Sequence, residues 1–446
     1  MIKTIGGRWS SIFLMACFWT GGDALTRAAE KPRFREFMGI NGHTVLFKPE
    51  VYASAVRAVR DYHPLDWDLG DDTSSVPPFP FARNRVDWGM VYGSWRATGY
   101  ETEACVMFDN VPPRNWKDPA RDARAYGKAF ATAFGPSSER PLVAAVEVGN
   151  EPGLYDDVTY RTIFENMAGG LREADPKLKI GTCALSLGDG DRYSKSVKCV
   201  QGLERFYDFL NIHTYAEVEG WPTWRRSYPE DPNIPYLKNV EAMIAWRDKN
   251  AAGKEVRITE FGWDASTKPA PATGDFAKWV GSTETEQAQY LVRSFLLFSK
   301  LDLTRAYIYF FDDKDEPQVH GSSGLTRNGK PKPAFYAVTH LQKTLGDYRF
   351  SRVVREEAGE VYVYEFVHGE NLARRIWAVW SPTGSGRKKS VTLSIPGLRC
   401  RGIERMTSSQ DGATLETATR EGDSISIEVG ESPKYLMLET IPRTSQ

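Results

Sequence analysis

The sequence predicts an α/β fold in which a (β/α)8 TIM barrel is followed by a C-terminal all-β sandwich domain. Up to residue 345, eight short apolar or β-branched runs alternate with stretches of helical periodicity. After Gly346 the helical periodicity stops, and short strand-like runs separated by Gly- or Pro-bearing turns follow. A chain of 446 residues is long enough for one such barrel and a smaller second domain.

The predicted barrel strands are residues 37–41, 65–69, 103–108, 142–148, 179–184, 209–213, 255–259 and 305–310. The predicted helices are residues 51–61, 86–98, 119–134, 159–173, 236–249, 284–300 and 333–345. The predicted sandwich strands are residues 361–366, 375–380, 390–395, 424–429 and 435–439. These elements divide the chain into a barrel at residues 31–346 and a sandwich at residues 347–446.

The first 30 residues are typical of an export signal. Lys3 and Arg8 precede a short apolar run at residues 12–19, and small residues follow it. The run is shorter than the ~20 apolar residues that span a bilayer, and no later segment is long and apolar enough for stable membrane insertion. We therefore expect a secreted or periplasmic protein. Residues 14–17 also loosely resemble a lipobox, so a lipid anchor at Cys17 is an alternative.

Composition excludes several classes of protein. With 57 basic against 58 acidic residues and no basic tract, nucleic-acid binding by bulk charge is not expected. With 13 Trp, 20 Tyr and 22 Phe, the chain is too aromatic to be disordered. Five cysteines do not make a disulfide scaffold. Cys183 and Cys199 could pair in an oxidising compartment, although buried thiols are the simpler interpretation.

Two glutamates follow predicted strands at the end where barrels place their active sites. The fourth strand leads into Asn150-Glu151-Pro152, and the seventh leads into Thr259-Glu260. Burying a carboxylate just past an apolar run costs free energy, so such a residue is expected to have polar partners or a function. Two carboxyl groups across a cleft can cleave a glycosidic bond, one as an acid and the other as a nucleophile or base. Such chemistry needs no cofactor and no metal ion.

Asn-Glu-Pro after strand four, together with Thr-Glu-Phe-Gly-Trp after strand seven, resembles clan A of the retaining glycoside hydrolases. The appended sandwich is most similar to glycoside hydrolase family 39 and its exopolysaccharide-degrading relatives. The resemblance implies that Glu151 is the acid/base and Glu260 the nucleophile. It also implies that Asn150 binds the sugar 2-hydroxyl. At position 149 this chain has Gly where many family 39 members have Trp.

The resemblance extends to His213 and Tyr215, which match the clan's His-x-Tyr after strand six and place the Tyr hydroxyl on the nucleophile. Glu147 should point into the barrel as a buried structural acid that needs a partner. Sugar contacts are further expected from side chains at other strand ends, by stacking or hydrogen bonding: His43, Trp67, Asp109, Asn110, Trp263 and Phe311. His320 is isolated in the sequence and is predicted to be structural.

The sequence thus predicts a retaining β-glycosidase, endo-acting on a poly- or oligosaccharide. An exo-acting, β-xylosidase-like enzyme is the closest alternative. A transglycosylase and a non-catalytic carbohydrate-binding barrel are the others. The C-terminal sandwich is expected to pack against the barrel as a structural partner.

Overall fold

The computed structural model describes residues 30–382, 386–416 and 418–441. Cys17 and the predicted export signal up to residue 29 lie outside the described residues. Eight parallel strands form a closed barrel, in which each strand pairs with the next and the last pairs with the first. They are β1 Met38–Gly42, β2 Ala58–Pro64, β3 Glu101–Met107, β4 Ala145–Val148, β5 Lys179–Ser186, β6 Phe209–His213, β7 Glu255–Phe261 and β8 Arg305–Ile308.

Six helices of ten or more residues follow barrel strands: α1 Trp88–Ala97, α2 Pro119–Phe134, α3 Asp157–Ala174, α4 Tyr236–Asn250, α5 Glu284–Lys300 and α6 Pro333–Leu345. Shorter helices are Phe34–Phe37, Pro49–Tyr52 and Leu65–Leu69, and the 3₁₀ turns are Thr44–Leu46, Pro113–Asn115 and Val197–Cys199. Side chains of Asp118, Asp156 and Thr283 accept hydrogen bonds from the first turns of α2, α3 and α5. The predicted barrel architecture is confirmed.

The predicted position of the second strand is wrong. Residues 65–69 form the short helix Leu65–Leu69, and the actual β2, Ala58–Pro64, lies largely within a stretch predicted as helix. All seven residues of β2 are buried, yet Arg60, Asp61 and His63 are ionisable. Because these polar side chains interrupt the apolar run, the strand carries no ordinary hydrophobic signature in the sequence.

The C-terminal domain consists of antiparallel sheets. Its longer strands are β9 Tyr348–Glu357, β10 Val361–His368, β11 Arg374–Trp380, β12 Lys389–Ser394, β13 Leu398–Arg405, β14 Ser424–Val429 and β15 Lys434–Thr440. One sheet has the order β9-β10-β11-β15-β13 with Thr414–Leu415 at its edge, and the other joins β12, β14 and Thr419–Glu421. The predictions missed β9 and β13, whose exposed face is rich in Arg and Glu. The remaining short strands, at loops of the barrel, are Lys195–Ser196, Asp312–Asp313, Thr326–Arg327 and Lys330–Pro331.

The barrel and the C-terminal domain share a hydrophobic core and a buried ion network. Arg293 of α5 pairs with Glu230 over 2.9 Å and with Glu431 of the C-terminal domain. The Trp380 indole N–H donates to Glu230 over 2.7 Å. Burying these charges is tolerable only because each has partners. The contact fixes the loop after β6, which carries Glu230, against the C-terminal domain.

Cys105, Cys183, Cys199 and Cys400 are free thiols, so the structure shows no Cys183–Cys199 disulfide. None of the helices in the described part of the chain has the length and hydropathy to cross a membrane.

Candidate active site

Glu151 lies at the mouth of the barrel, just beyond the end of β4. Gly149 makes the bend between the strand and the glutamate with a φ of 88°, a value that favours glycine. A Cβ at this position would come within 3.1 Å of the Phe108 ring, which accounts for Gly here. The backbone N–H of Glu151 donates to Asp109 Oδ1 over 2.6 Å. With a side chain that is 26% exposed, Glu151 is fixed by its backbone while its carboxyl group stays accessible.

Glu260, near the end of β7, is buried among four polar partners. The Tyr62 hydroxyl donates to Oε1 over 2.5 Å and the Tyr215 hydroxyl to Oε2 over 2.8 Å. Arg60 Nη1 lies 3.3 Å from Oε1, and His213 Nδ1 lies 3.6 Å from Oε2. Burial alone would raise the pKa of Glu260. The charges of His213 and Arg60 and the two tyrosine hydrogen bonds outweigh burial and hold this pKa well below its usual range.

His213, the last residue of β6, lies between the two glutamates. Its Nδ1 is 2.9 Å from Glu151 Oε1. Burial opposes a charged imidazole, but Glu260 and Glu151 outweigh it and raise the pKa of His213. One oxygen of each carboxyl group and one imidazole nitrogen all lie within 4.8 Å of one another. Among the described residues these three side chains are also the one group that could hold a metal ion.

Arg60 of β2 links the site to the barrel interior. Its guanidinium forms a bidentate pair with Glu147 at 2.7 and 2.8 Å, and both side chains are fully buried. This confirms the prediction that Glu147 is a buried acid with a structural partner. Arg60 Nη2 also donates to Asn150 Oδ1 over 2.9 Å. Because a guanidinium only donates, this bond fixes the amide so that Asn150 Nδ2 remains a donor for a ligand.

Asp109 and Asn110 follow β3 and differ in their surroundings. Asp109 is half-buried and holds the backbone of Glu151, and burial raises the pKa of its carboxyl to about 6. This contact makes Asp109 a positioning residue for Glu151. Asn110 is exposed in the turn that follows.

Of the predicted aromatic contacts, His43 lies beside the site, and Trp67 packs against another tryptophan. The His43 ring stacks on Tyr62 with 5.1 Å between ring centroids. Burial lowers the pKa of His43, although the nearby Glu260 acts in the opposite direction. Trp67 is half-buried and stacks on Trp88 at 6.1 Å. It lies on the short helix after β2 and not on the strand itself.

Two other predicted sugar contacts are wrong, because their side chains lie in the core. Trp263 is fully buried, its indole N–H donates to Ser227 O over 2.8 Å, and its ring packs against Tyr236. Phe311 is 5% exposed and packs against Phe47. Both residues follow strand ends, but their side chains are packed among other side chains of the core and present almost no exposed surface.

Sequence reasoning missed Arg60 and Tyr62 and misjudged His320. Arg60 and Tyr62 lie on β2, which was not predicted as a strand, and Arg60 falls within the predicted helix 51–61. His320 was expected to be a satisfied structural residue, yet its buried Nδ1 has no partner and its φ is 63°. Its ring contacts Tyr215 and Tyr309 with centroids 5.0 and 4.9 Å away. A non-glycine residue in the left-handed region beside a polar cluster is a common sign of a functional constraint.

The sequence matches no protein-family model and no curated protein. Its fold is similar to that of a family 39 glycoside hydrolase from the gut symbiont Bacteroides cellulosilyticus WH2, with a TM-score of 0.66 and 17% identity over 92% of this chain and 81% of that one. A glucosidase from Croceicoccus marinus gives 0.61 and 13% over 93% and 98% of the two chains. A family 30 subfamily 8 xylanase from Clostridium acetobutylicum gives 0.57 and 12% over 93% and 98%. At these identities the likeness shows the fold, a barrel with a C-terminal β domain that this chain shares with glycoside hydrolases.

Proposed function

We propose that the protein is a retaining β-glycosidase that hydrolyses O-glycosidic bonds of a poly- or oligosaccharide by double displacement. One observation carries the proposal. Carboxyl oxygens of Glu151 and Glu260 lie within 4.8 Å of each other at the mouth of the barrel. Retaining enzymes place their two carboxyl groups about 5–5.5 Å apart, whereas inverting enzymes leave room for a water at about 6.5–9.5 Å. The similarity of the fold to glycoside hydrolases agrees with this proposal.

Each glutamate suits a different role in such a reaction. Glu260 is buried, ionised and held on both oxygens, as a nucleophile must be when it attacks the anomeric carbon. Its attack forms a glycosyl ester while Glu151 gives its proton to the leaving oxygen. Glu151 then takes a proton from water, the water attacks the anomeric carbon, and the ester bond to Glu260 breaks. Both carboxyl groups return to their starting states.

Neighbouring side chains orient the sugar, position Glu151 and keep Glu260 ionised during these steps. The Asn150 amide, oriented by Arg60, would donate to the sugar 2-hydroxyl, a bond that strengthens as positive charge develops on the ring. His213 would hold Glu151 in place through Nδ1 and leave the other carboxyl oxygen of Glu151 for the leaving group. Arg60 and the two tyrosines would keep Glu260 ionised.

We infer that the substrate is polymeric and that cleavage is internal, because the loops at the strand ends are long and rich in aromatic residues. We also infer that the protein is secreted or periplasmic, on the basis of the export-signal pattern at its N-terminus.

The test is release of reducing ends from a panel of β-linked glucans, xylans, mannans and bacterial exopolysaccharides. A protein that carries both Glu151→Gln and Glu260→Gln, purified in the same way, controls for contaminating enzymes. We expect one polymer to be cleaved, with fragments of intermediate size appearing first. Proton NMR of the first product should show the β anomer. An α anomer as the first product would contradict the retaining mechanism, and cleavage of single sugars from the chain end would contradict internal cleavage.

Replacing Tyr215 with phenylalanine should raise the pH at which activity is lost on the acid side. The Tyr215 hydroxyl bonds the charged form of Glu260, so its removal raises the pKa of Glu260. A hydrogen bond to a charged group is worth ~1.5 kcal/mol, which moves the acid limb of kcat/KM upward by about one pH unit. The control is Tyr435→Phe, which removes a buried hydroxyl with no partner in the C-terminal domain. If the acid limb of the Tyr215→Phe profile does not move, that limb does not report the ionisation of Glu260.

A further inference from the structure

The loop after β6 rises from the catalytic residues as a short hairpin at residues 217–226. Its two arms are joined by a bridge between Glu217 and Arg226 and by the Val218 N–H, which donates to Arg225 O over 3.0 Å. Arg225 also pairs with Glu219 over 2.6 Å. The turn at its tip closes through the Trp224 N–H, which donates to Gly220 O over 2.9 Å. The hairpin is therefore an ordered arm whose own hydrogen bonds hold its tip.

The base of this hairpin is tied to the site around Glu260. The Arg226 guanidinium lies 4.3 Å from the centre of the Tyr215 ring and pairs with Asp264 over 3.1 Å. Both charged side chains are 5% exposed. Tyr215 in turn donates to Glu260. Near the tip, the Val280 N–H donates to Thr223 O over 2.9 Å, which joins the hairpin to the loop after β7.

Trp221 stands at the tip of the hairpin and is 70% exposed. It is the only tryptophan in the described part of the chain that is exposed, and Trp116 and Trp279 of other loops are buried. Val280, beside the tip, is 43% exposed and extends the apolar surface. A flat indole held on a rigid arm loses little conformational entropy on binding, and its face suits the apolar face of a pyranose.

We propose that Trp221 is the stacking platform of a sugar-binding subsite on the leaving-group side of the cleaved bond. The proposal rests on the proposed function and states where the polymer extends beyond the cleaved bond. The leaving oxygen must lie at Glu151, and Glu151 contacts His213 at the end of β6. The hairpin continues from β6, the strand that ends at His213, and we therefore place the leaving-group side of the polymer along it. The occupant is a sugar unit of the polymer, since the base of the same hairpin contacts Tyr215, which donates to Glu260.

The test compares the wild type, Trp221→Ala and Leu372→Ala. Leu372 is also 70% exposed but belongs to the C-terminal domain, so it controls for the loss of an exposed apolar side chain. On the polysaccharide that the wild type cleaves, Trp221→Ala should lower kcat/KM by about 10-fold. On a β-glycosyl fluoride of the same sugar, whose leaving group is a single atom that cannot stack on the indole, it should change nothing. Equal losses on both substrates, or no loss on the polymer, would overturn the subsite.

Electrophoresis in gels that contain each polysaccharide of the panel separates this proposal from the proposed function. Retardation of the wild type that Trp221→Ala abolishes and Leu372→Ala retains supports the subsite, even if no polymer is hydrolysed. Hydrolysis that is insensitive to Trp221→Ala overturns the subsite alone. If neither retardation nor hydrolysis occurs with any polymer, the subsite is overturned together with the proposed function.

Discussion

Replacing Glu260 with glutamine should lower kcat/KM on the cleaved polysaccharide by at least ~10⁴-fold. An amide is nearly isosteric with the carboxylate but cannot form the glycosyl ester. The Tyr62 and Tyr215 hydroxyls bond different oxygens of Glu260. The single amide oxygen can still accept from one of them and the amide NH2 can donate to the other, so the loss reflects the missing nucleophile and not a disrupted site. The variant should still bind the polymer.

Labelling with a 2-deoxy-2-fluoro glycoside that has a good leaving group provides a second measurement. The wild type should gain the mass of one fluorosugar on the peptide that carries Glu260, and Glu260→Gln should gain none. The matched control is Glu365→Gln, a buried glutamate of the C-terminal domain that pairs with Arg375 over 2.9 Å. This control should lower the melting temperature and leave labelling intact. A label on any other carboxylate would assign the nucleophile elsewhere.

The helices were the most predictable part of the fold. Residues 119–134, 284–300 and 333–345 were predicted with the bounds that the structure shows. Proline at the first turn or a capping threonine fixes where these helices begin, and their apolar faces have a clear 3.6-residue period. These signals are local, and a single sequence contains all of them.

The second strand could not be predicted, for a reason that concerns function. Its residues Arg60 and Tyr62 face the polar cluster around Glu260, and Asp61 and His63 join a buried hydrogen-bonded chain through Tyr92. A buried strand is ordinarily recognised by its apolar residues. Here the partners that make burial of charge tolerable come from distant strands, and only the folded chain brings them together.

The residues of the candidate site were likewise predictable only in part. Position at the ends of β4 and β7 was enough to predict that Glu151 and Glu260 lie close together, because strand ends of a closed barrel meet at one mouth. Position was not enough for Trp263 and Phe311, which also follow strand ends. Whether a side chain there faces the cleft or the helices depends on the local path of the loop, which motifs do not encode.

The two glutamates differ in burial and in hydrogen-bond partners, because different strands supply the neighbours of each. Glu260 is buried and receives donors from β2 and from the loop after β6. Glu151 is partly exposed, and its carboxyl group contacts His213. An ionised buried carboxylate and an accessible one that can exchange protons are the pair that double displacement requires.

Replacing Glu151 with alanine should slow cleavage of the polysaccharide by ~10²–10⁴-fold, since the leaving sugar then departs without a proton. A dinitrophenyl β-glycoside should behave differently, because its leaving group needs no protonation. Its glycosyl-enzyme should form at nearly the normal rate and then accumulate, because no base activates water. A burst of dinitrophenol followed by a slow steady state is the expected trace.

Added azide should restore turnover of this variant. The small anion can enter the space that the Glu151 side chain leaves and attack the glycosyl-enzyme without a general base, which displaces Glu260 and yields a β-glycosyl azide. The matched control is Glu260→Gly, in which azide would attack the substrate directly and yield the α-azide. The anomer of the isolated azide, read by proton NMR, therefore identifies which carboxylate each variant lacks. An α-azide from Glu151→Ala, or no rescue together with an intact burst, would contradict the assignment of Glu151 as the acid/base.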